Sequence, residues 1–204
     1  MEKKLPQLYY ISQGTSVEEH LKNIAAVSEA GVFLVQLRLK NVSDEVYTTA
    51  GIQAKVICEK HGALLIINDN IAVAKNCNAD GVHLGLTDER PQQARLMLNK
   101  GTLVGGTANT LADCLQLIKE GVDYIGLGPF RFTATKEKLS PIVGLAGYEK
   151  IVATLQKAGH ITPIYAIGGI EKSDFSSIYR TGIHGIAVSG ILSNKSKKEL
   201  AQVV

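Results

Sequence analysis

The chain is organised around the stretch Val32-Phe33-Leu34-Val35-Gln36-Leu37-Arg38-Leu39-Lys40. Its first four residues are apolar, and most of them are β-branched or aromatic, a composition typical of a buried strand. Side chains alternate between the two faces of a strand, so Gln36, Arg38 and Lys40 share one face. The stretch therefore predicts a buried strand over residues 32–39 with an amide and two cations on one side.

Two cations on a buried face need an anionic partner, because a charge removed from water is costly unless it is paired. No acidic residue lies within the stretch itself. An external anion with several oxygens, such as a pyrophosphate, matches the planar fork of Arg38 and the point charge of Lys40. The alternative is an edge strand with a solvated cationic face, and both interpretations stay open at this point.

Similar apolar runs recur along the chain and alternate with segments of helical periodicity. The runs that predict strands cover residues 8–12, 32–39, 63–68, 81–84, 103–106, 124–128, 163–168 and 185–189. A capping box at Thr15 and Glu18 opens the first predicted helix, and Thr110 with Asp113 opens another. The remaining helices are predicted over residues 44–60, 148–155, 173–180 and 196–203.

A strand followed by a helix, repeated through the chain, predicts an α/β fold, a single-domain (β/α)8 TIM barrel over residues 1–204. A doubly wound open sheet would also alternate in this way. The barrel is preferred because eight short units fit within 204 residues. Most polar and glycine-rich clusters also follow directly after a strand, which is where a barrel builds its site.

The bulk composition restricts the class of protein. Hydrophobic residues make up 45%, charged residues 20%, and the net charge is +3, which is too small to indicate a nucleic-acid partner. An odd number of widely spaced cysteines indicates a reducing compartment. With no apolar signal region and no run long enough to span a membrane, we expect a cytoplasmic protein that acts on small molecules. A homo-oligomer is compatible with this composition.

Two aspartates follow neighbouring predicted strands. Asp69 comes after the third strand together with Asn68, and Asp88 comes after the fourth. Each could cap the helix that follows it. Because both lie on the same rim as Lys40, the pair also predicts a Mg²⁺ site of the usual kind, with carboxylates and substrate phosphate as ligands.

The other strand ends add hydroxyls, a cation and glycines. Thr107 follows the fifth strand, and residues 126–136 form a long loop with two threonines and a lysine. Gly168-Gly169 and Ser189-Gly190 follow the last two strands, where barrels often bind phosphate. These glycines could also serve only as tight turns. Within the fourth strand, we interpret His83 as a hydrogen-bonded core residue. The rim thus predicts two anion sites, one for a diphosphate with Mg²⁺ and one for a monophosphate.

In this order the motifs resemble those of the thiamine-phosphate synthase family over nearly the whole chain. They read QLRLK at 36–40, ND at 68–69, GVHLGLTD at 81–88, GLGPFRFTATK at 126–136, AIGG at 166–169 and VS at 188–189. Two positions depart from the family pattern. Leu86 stands where the family usually has Gln, and Thr107 where it usually has Ser.

The resemblance implies a transferase that joins 4-amino-2-methyl-5-pyrimidinylmethyl diphosphate to 4-methyl-5-(2-phosphoethyl)thiazole with Mg²⁺ as cofactor. It implies that Asp69 and Asp88 hold the metal, and that Arg38, Lys40 and Lys136 are catalytic. The pyrimidine diphosphate would be bound by Gln36, Arg38, Lys40, Asn68, Thr107 and Lys136. The thiazole phosphate would be bound by Thr133, Thr135, Gly169, Val188 and Ser189.

Three other functions are weighed against this one. A related thiazole tautomerase uses a histidine in the loop after the sixth strand, where this chain has Pro129. A non-catalytic phosphate-binding regulator of the same superfamily would have a broken diphosphate site, whereas the diphosphate motifs here are complete. A phosphosugar isomerase would require paired acid-base groups on the rim, and the available aspartates are those proposed for the metal.

Overall fold

The predicted strands close into a parallel barrel. The computed structural model describes residues 5–132 and 142–204, and within them eight strands pair in chain order, with the last strand beside the first. The strands are β1 (Leu8–Ile11), β2 (Leu34–Leu37), β3 (Leu64–Asn68), β4 (Gly81–Leu84), β5 (Leu103–Ala108), β6 (Tyr124–Leu127), β7 (Ile164–Ile167) and β8 (Gly185–Val188). The predicted (β/α)8 barrel is confirmed, and the open doubly wound sheet is excluded.

A helix follows every strand in the part of the chain that the structure describes. The helices are α1 (Val17–Glu29), α2 (Asp44–Lys60), α3 (Ile71–Asn76), α4 (Pro91–Met97), α5 (Leu111–Lys119), α6 (Gly144–Lys157), α7 (Phe175–Arg180) and α8 (Lys197–Leu200), with a short 3-10 helix (Lys172–Asp174) before α7. The prediction for α2 is confirmed at both ends. No helix of the described residues is both long and apolar enough to cross a membrane.

The organising stretch forms a central strand that is shorter than predicted. β2 pairs with β1 on one side and β3 on the other, and all four of its residues are buried. The alternative of an exposed edge strand is therefore wrong. The ladder ends at Leu37, so Arg38 and Lys40 lie beyond the strand, on the rim, rather than within it.

The first helix begins one residue later than its predicted capping box. Ser16, not Thr15, is the N-cap of α1, and its hydroxyl accepts the Glu19 N–H. Thr15 instead donates from both its backbone N–H and its hydroxyl to the Glu19 carboxylate. The predicted start of a helix at Thr110 and Asp113 is confirmed for α5, where the two residues form a capping box.

Aromatic rings fill the interior of the barrel. Tyr9, Tyr124 and Tyr165 are buried and meet edge to face, with ring centroids 5.8 Å apart for Tyr9 and Tyr124 and 5.4 Å apart for Tyr9 and Tyr165. Gly105 of β5 is paired in register with Tyr124, and a Cβ atom added at Gly105 would overlap the Tyr124 ring. The tyrosine cluster therefore requires a glycine at this position of β5.

We expect Gly105→Ala to destabilise the fold by about 1–3 kcal/mol, because an extra methyl group in a packed interior displaces its neighbours. Urea unfolding measures the change. Gly190→Ala is the control, since a Cβ atom there would meet its nearest neighbour at an ordinary 3.5 Å. Equal unfolding midpoints for the two variants would contradict the assigned packing of Tyr124.

Candidate active site

A cavity of about 600 Å³ opens at the carboxyl ends of the strands. The residues predicted from the sequence that line it are Gln36, Arg38, Lys40, Asn68, Thr107, Gly169, Val188 and Ser189. These residues come from the carboxyl ends of five strands, β2, β3, β5, β7 and β8, and they meet around one space, as the rim of a parallel barrel requires. Thr133, Thr135 and Lys136, predicted for the same rim, lie outside the described residues.

The cationic stretch is held in place by polar contacts. The backbone N–H of Arg38 donates to the Ser12 hydroxyl at 3.0 Å, which ties the start of the rim segment to the end of β1. The Lys40 ammonium donates to Asp69 Oδ2 at 2.8 Å. The acidic partner that the stretch itself lacks therefore comes from the end of β3.

Neither aspartate caps a helix. The N-cap of α3 is Asn70, whose side chain accepts the Val73 N–H at 2.9 Å, and the N-cap of α4 is Arg90. Asp69 has φ of 65°, a left-handed conformation that Asp tolerates better than most residues. The capping alternative is thus excluded for both aspartates, which leaves their carboxylates available for another role.

The two carboxyl groups form a pair beside the cavity, although neither is part of its lining. Asp69 and Asp88 lie close enough to affect each other's pKa, and Asp88 Oδ2 also accepts the Gly85 N–H at 2.6 Å. A Cβ atom at Gly85 would lie 2.8 Å from Asp88 Oδ2 and 3.9 Å from Asp69 Oδ1, so this glycine leaves room for both groups.

The pKa values of the two carboxyl groups shift in opposite directions. Partial burial raises the pKa of Asp88, and the neighbouring Asp69 raises it further. Burial acts in the same direction on Asp69, but interactions with the Lys40 ammonium and with Asp88 outweigh it and lower the pKa of Asp69. Two adjacent carboxylates repel when both are ionised, and a divalent cation would relieve that repulsion. The oxygen donors fit Mg²⁺, which is held in many sites by one or two carboxylates together with phosphate.

The glycines after β7 have conformations that other residues rarely adopt. Gly168 and Gly169 have φ of 97° and 67°. A Cβ atom at Gly169 would also lie 2.5 Å from Arg131 Cγ. Both glycines line the cavity, so the turn exposes backbone to the space where the sequence predicts a phosphate.

The rim segment after β8 is hydrogen-bonded to a residue that follows β1. The Ser189 hydroxyl donates to Gln13 Oε1 at 3.3 Å. Gln13 lies just after β1, and it lines the cavity too. Gln13 was not predicted from the sequence, because its contact with Ser189 depends on the pairing of β1 with β8.

A chain of hydrogen bonds inside the barrel also escaped the sequence analysis. Gln36 Nε2 donates to the Tyr9 hydroxyl at 2.6 Å, and that hydroxyl lies 3.0 Å from the Tyr124 hydroxyl. The Tyr124 hydroxyl lies 3.3 Å from His83 Nδ1, and His83 Nε2 lies 3.0 Å from Thr107 Oγ1. His83 is thus a hydrogen-bonded core residue, as predicted. Tyrosines within the predicted buried strands could have indicated these hydrogen bonds, since a buried phenol needs a partner.

His20 contacts the same Ser12 hydroxyl that holds the backbone of Arg38. His20 of α1 is buried, and its Nδ1 lies 2.7 Å from the Ser12 hydroxyl that accepts the Arg38 N–H. Burial is the main cause that lowers the pKa of His20, and the Arg38 charge contributes in the same direction. The Gly14 carbonyl and Glu19 oppose the shift without cancelling it.

Comparison with known proteins identifies the family. The family model for thiamine monophosphate synthase matches residues 8–192. The chain belongs to this family. The thiamine-phosphate synthase of Flavobacterium johnsoniae is 47% identical over 194 residues, which cover 95% of this chain and 92% of that protein. The thiamine-phosphate synthase of Flavobacterium psychrophilum is 50% identical over 92% of this chain and 91% of that protein.

A solved structure agrees with this membership. Thiamine phosphate pyrophosphorylase from Pyrococcus furiosus superposes with a TM-score of 0.85 at 27% identity, covering 97% of this chain and 93% of that one. The resemblance drawn from the motifs is confirmed, and so is the prediction of a transferase of thiamine biosynthesis.

The lowered pKa of His20 predicts a dependence of stability on pH. Below the ordinary value of 6.5 the unfolded chain takes up a proton that the buried His20 resists, so the free energy of unfolding falls as the pH falls. We expect the stability of wild type relative to His20→Gln to be greatest at pH 7 and smaller at pH 5. Urea unfolding at both pH values measures this difference, and a constant difference would contradict the assignment.

Proposed function

We propose that this protein condenses 4-amino-2-methyl-5-pyrimidinylmethyl diphosphate with 4-methyl-5-(2-phosphoethyl)thiazole to give thiamine monophosphate and pyrophosphate. The observation that carries the proposal is the convergence of Arg38, Lys40 and the glycine turn at Gly169 on one cavity of about 600 Å³. A cationic end for a diphosphate and a glycine-rich end for a monophosphate share that space. Family membership supports the same reaction.

In the proposal, the diphosphate is bound by residues in β2, β3 and β5 and by the segment that follows β2. In the proposal Gln36, Asn68 and Thr107 orient the pyrimidine diphosphate, while Arg38 and Lys40 bind its phosphate oxygens. Lys136, which lies outside the described residues, would add a third cation. Fixed positive groups aimed at the oxygens of a leaving group stabilise the charge that builds there as the bond breaks.

The thiazole phosphate binds at the opposite side of the cavity in this proposal. Gly169, Val188 and Ser189 would hold it, together with Thr133 and Thr135, which lie outside the described residues. Holding the phosphate fixes the position of the thiazole ring, so that its nitrogen faces the methylene carbon of the pyrimidine. Such positioning removes much of the entropic barrier to a reaction between two substrates.

Asp69 and Asp88 would hold Mg²⁺ next to the diphosphate. The chemistry that the ion supplies when bound is neutralisation of charge on the departing pyrophosphate. Because Lys40 is paired with Asp69 at 2.8 Å, a cation bound by Asp69 competes with the ammonium of Lys40. The Lys40 side chain is half exposed, so it can turn from the carboxylate to a phosphate oxygen at little cost.

Bond changes in the proposed reaction need no general base. The bond between the methylene carbon and the diphosphate oxygen breaks, and its electron pair leaves with pyrophosphate. The positive charge left on the methylene carbon is shared with the exocyclic nitrogen of the aminopyrimidine. The lone pair of the thiazole nitrogen then forms the new C–N bond, and no proton changes place.

Incubation of the purified protein with both substrates and Mg²⁺, followed by mass detection of thiamine monophosphate, tests the proposal. Formation of that product at a rate proportional to enzyme concentration is expected. A folded protein that forms none would overturn the proposal and favour a tautomerase-like or regulatory barrel.

We expect Asp69→Asn and Asp88→Asn each to lower turnover more than about hundredfold, because changes even in the residues that support metal ligands cost about 10–100-fold. Asn retains the size of the side chain and tolerates the left-handed backbone at Asp69. Stability should change little, since Asn70 and Arg90 are the helix caps.

Asp113→Asn serves as the matched control, because Asp113 belongs to the capping box of α5. It should lose stability and keep its turnover. Turnover of Asp69→Asn or Asp88→Asn that equals wild type across a Mg²⁺ titration would remove the metal assignment.

Arg38→Met tests the cationic end of the cavity. The variant keeps the length of the side chain and the backbone bond to Ser12, but it loses the charge and the planar fork. A hydrogen bond to a charged group is worth about 1.5–3 kcal/mol, so kcat/KM should fall at least about tenfold. The melting temperature should hold or rise, because a partly desolvated cation is removed.

Arg95→Met should show the opposite pattern. Arg95 donates to the carbonyls of Thr102 and Gly121 and to Asp123, away from the cavity. Its loss should lower the melting temperature and leave kcat/KM close to that of wild type. If Arg38→Met behaves like Arg95→Met, then Arg38 is a structural residue.

A further inference from the structure

We infer that the hydrogen bonds from Gln36 through Tyr9, Tyr124 and His83 run in one direction and make the Thr107 hydroxyl a donor into the cavity. Tyr9, Tyr124 and His83 are then positioning residues that act through Thr107. The identity of the anion that receives the Thr107 proton rests on the proposed function, whereas the direction of the chain rests on the contacts alone.

The direction is set at Gln36. Its amide nitrogen can only donate, so the Tyr9 hydroxyl oxygen accepts at 2.6 Å. Tyr9 is buried, and among the described residues the partners of its hydroxyl are Gln36 and Tyr124. Because a buried hydroxyl proton needs an acceptor, the proton of Tyr9 goes to the Tyr124 oxygen.

The same reasoning continues towards the rim. With its oxygen already accepting from Tyr9, the Tyr124 hydroxyl donates its own proton to His83 Nδ1. Burial raises the pKa of both tyrosines, so each phenol keeps the one proton that this order needs. A neutral imidazole that accepts at Nδ1 carries its proton on Nε2. His83 therefore donates to Thr107 Oγ1 at 3.0 Å, and the Thr107 proton is directed elsewhere.

The direction matters because Thr107 lines the cavity. If the Gln36 amide were turned so that its oxygen faced Tyr9, every bond would reverse. Thr107 would then donate to His83 Nε2 and present only lone pairs, which repel an anion. In the inferred order the hydroxyl is committed to donate, which is what a phosphate oxygen requires. The orientation of the Gln36 amide in β2 thus determines whether the Thr107 hydroxyl in β5 donates or accepts.

The tautomer of His83 tests the inference without any turnover. Nitrogen-15 NMR of the uniformly labelled protein near pH 8 distinguishes a proton on Nε2 from one on Nδ1, and His83→Gln assigns the signal among the five histidines. A neutral ring protonated at Nε2 is expected. A proton on Nδ1, in either the neutral or the charged ring, would overturn the inference. The result stands even if the protein makes no thiamine monophosphate, so the two failures are distinguishable.

A double-mutant cycle tests whether the chain acts through Thr107. Tyr124→Phe keeps the ring and removes one link, and we expect it to lower kcat/KM about tenfold, the value of one hydrogen bond to a charged group. In a Thr107→Val background the same change should have little further effect, because the donor is already gone.

Additive losses in this cycle would show that Tyr124 affects activity only through packing, and the inference would then fail. Tyr9→Phe breaks the same chain one link earlier and replaces Tyr124→Phe if that variant does not fold. Tyr148→Phe is the control, because it loses an equally buried hydroxyl whose partner is the Leu127 carbonyl. It should keep wild-type kcat/KM.

Discussion

Pairing of β1 with β8 is the constraint on which the rest of the molecule depends. The register that sets Tyr10 opposite Val188 closes the barrel, and all the strands then end on one rim. Residues distant in sequence become neighbours there. Gln13, which follows the first strand, receives a hydrogen bond from Ser189, which follows the last. Without closure, the cationic stretch and the glycine turns would be surface loops with no common space.

Closure also buries polar side chains, so that little of their surface is exposed to water. The interior of the barrel holds Gln36, Tyr9, Tyr124 and His83, and each has a hydrogen-bond partner there. A buried polar group left unpaired would cost roughly 1–3 kcal/mol, so these contacts are required for stability as well as for the site. The floor of the cavity and the core of the barrel are therefore built from the same residues, and a change in one disturbs the other.

The sequence predicted features that depend on local patterns and missed those that depend on distant contacts. Helix α2 begins directly after the N-cap residue Ser43, and both of its ends were predicted. At α1, two adjacent hydroxyl residues precede two adjacent glutamates, and only the folded loop selects Ser16 as the cap. Lys40 and Asp69 lie 29 positions apart, and Tyr9 and Tyr124 lie 115 apart. Sequence periodicity carries no information on such distant pairs. The ion pair and the interior hydrogen bonds could therefore be identified only from the folded barrel.

In the proposed reaction, the charged groups on the rim would exchange partners when the substrate and the metal bind. As the protein stands, Lys40 is paired with Asp69, and Asp69 lies next to Asp88. A diphosphate brings negative charge and a divalent cation brings positive charge. Lys40 could therefore exchange Asp69 for a phosphate oxygen, and Asp69 could exchange Lys40 for the cation. Little net charge is then left desolvated, which keeps the cost of filling the cavity low. A site that held only cations would bind the diphosphate more tightly, but it would release pyrophosphate more slowly once the bond has broken.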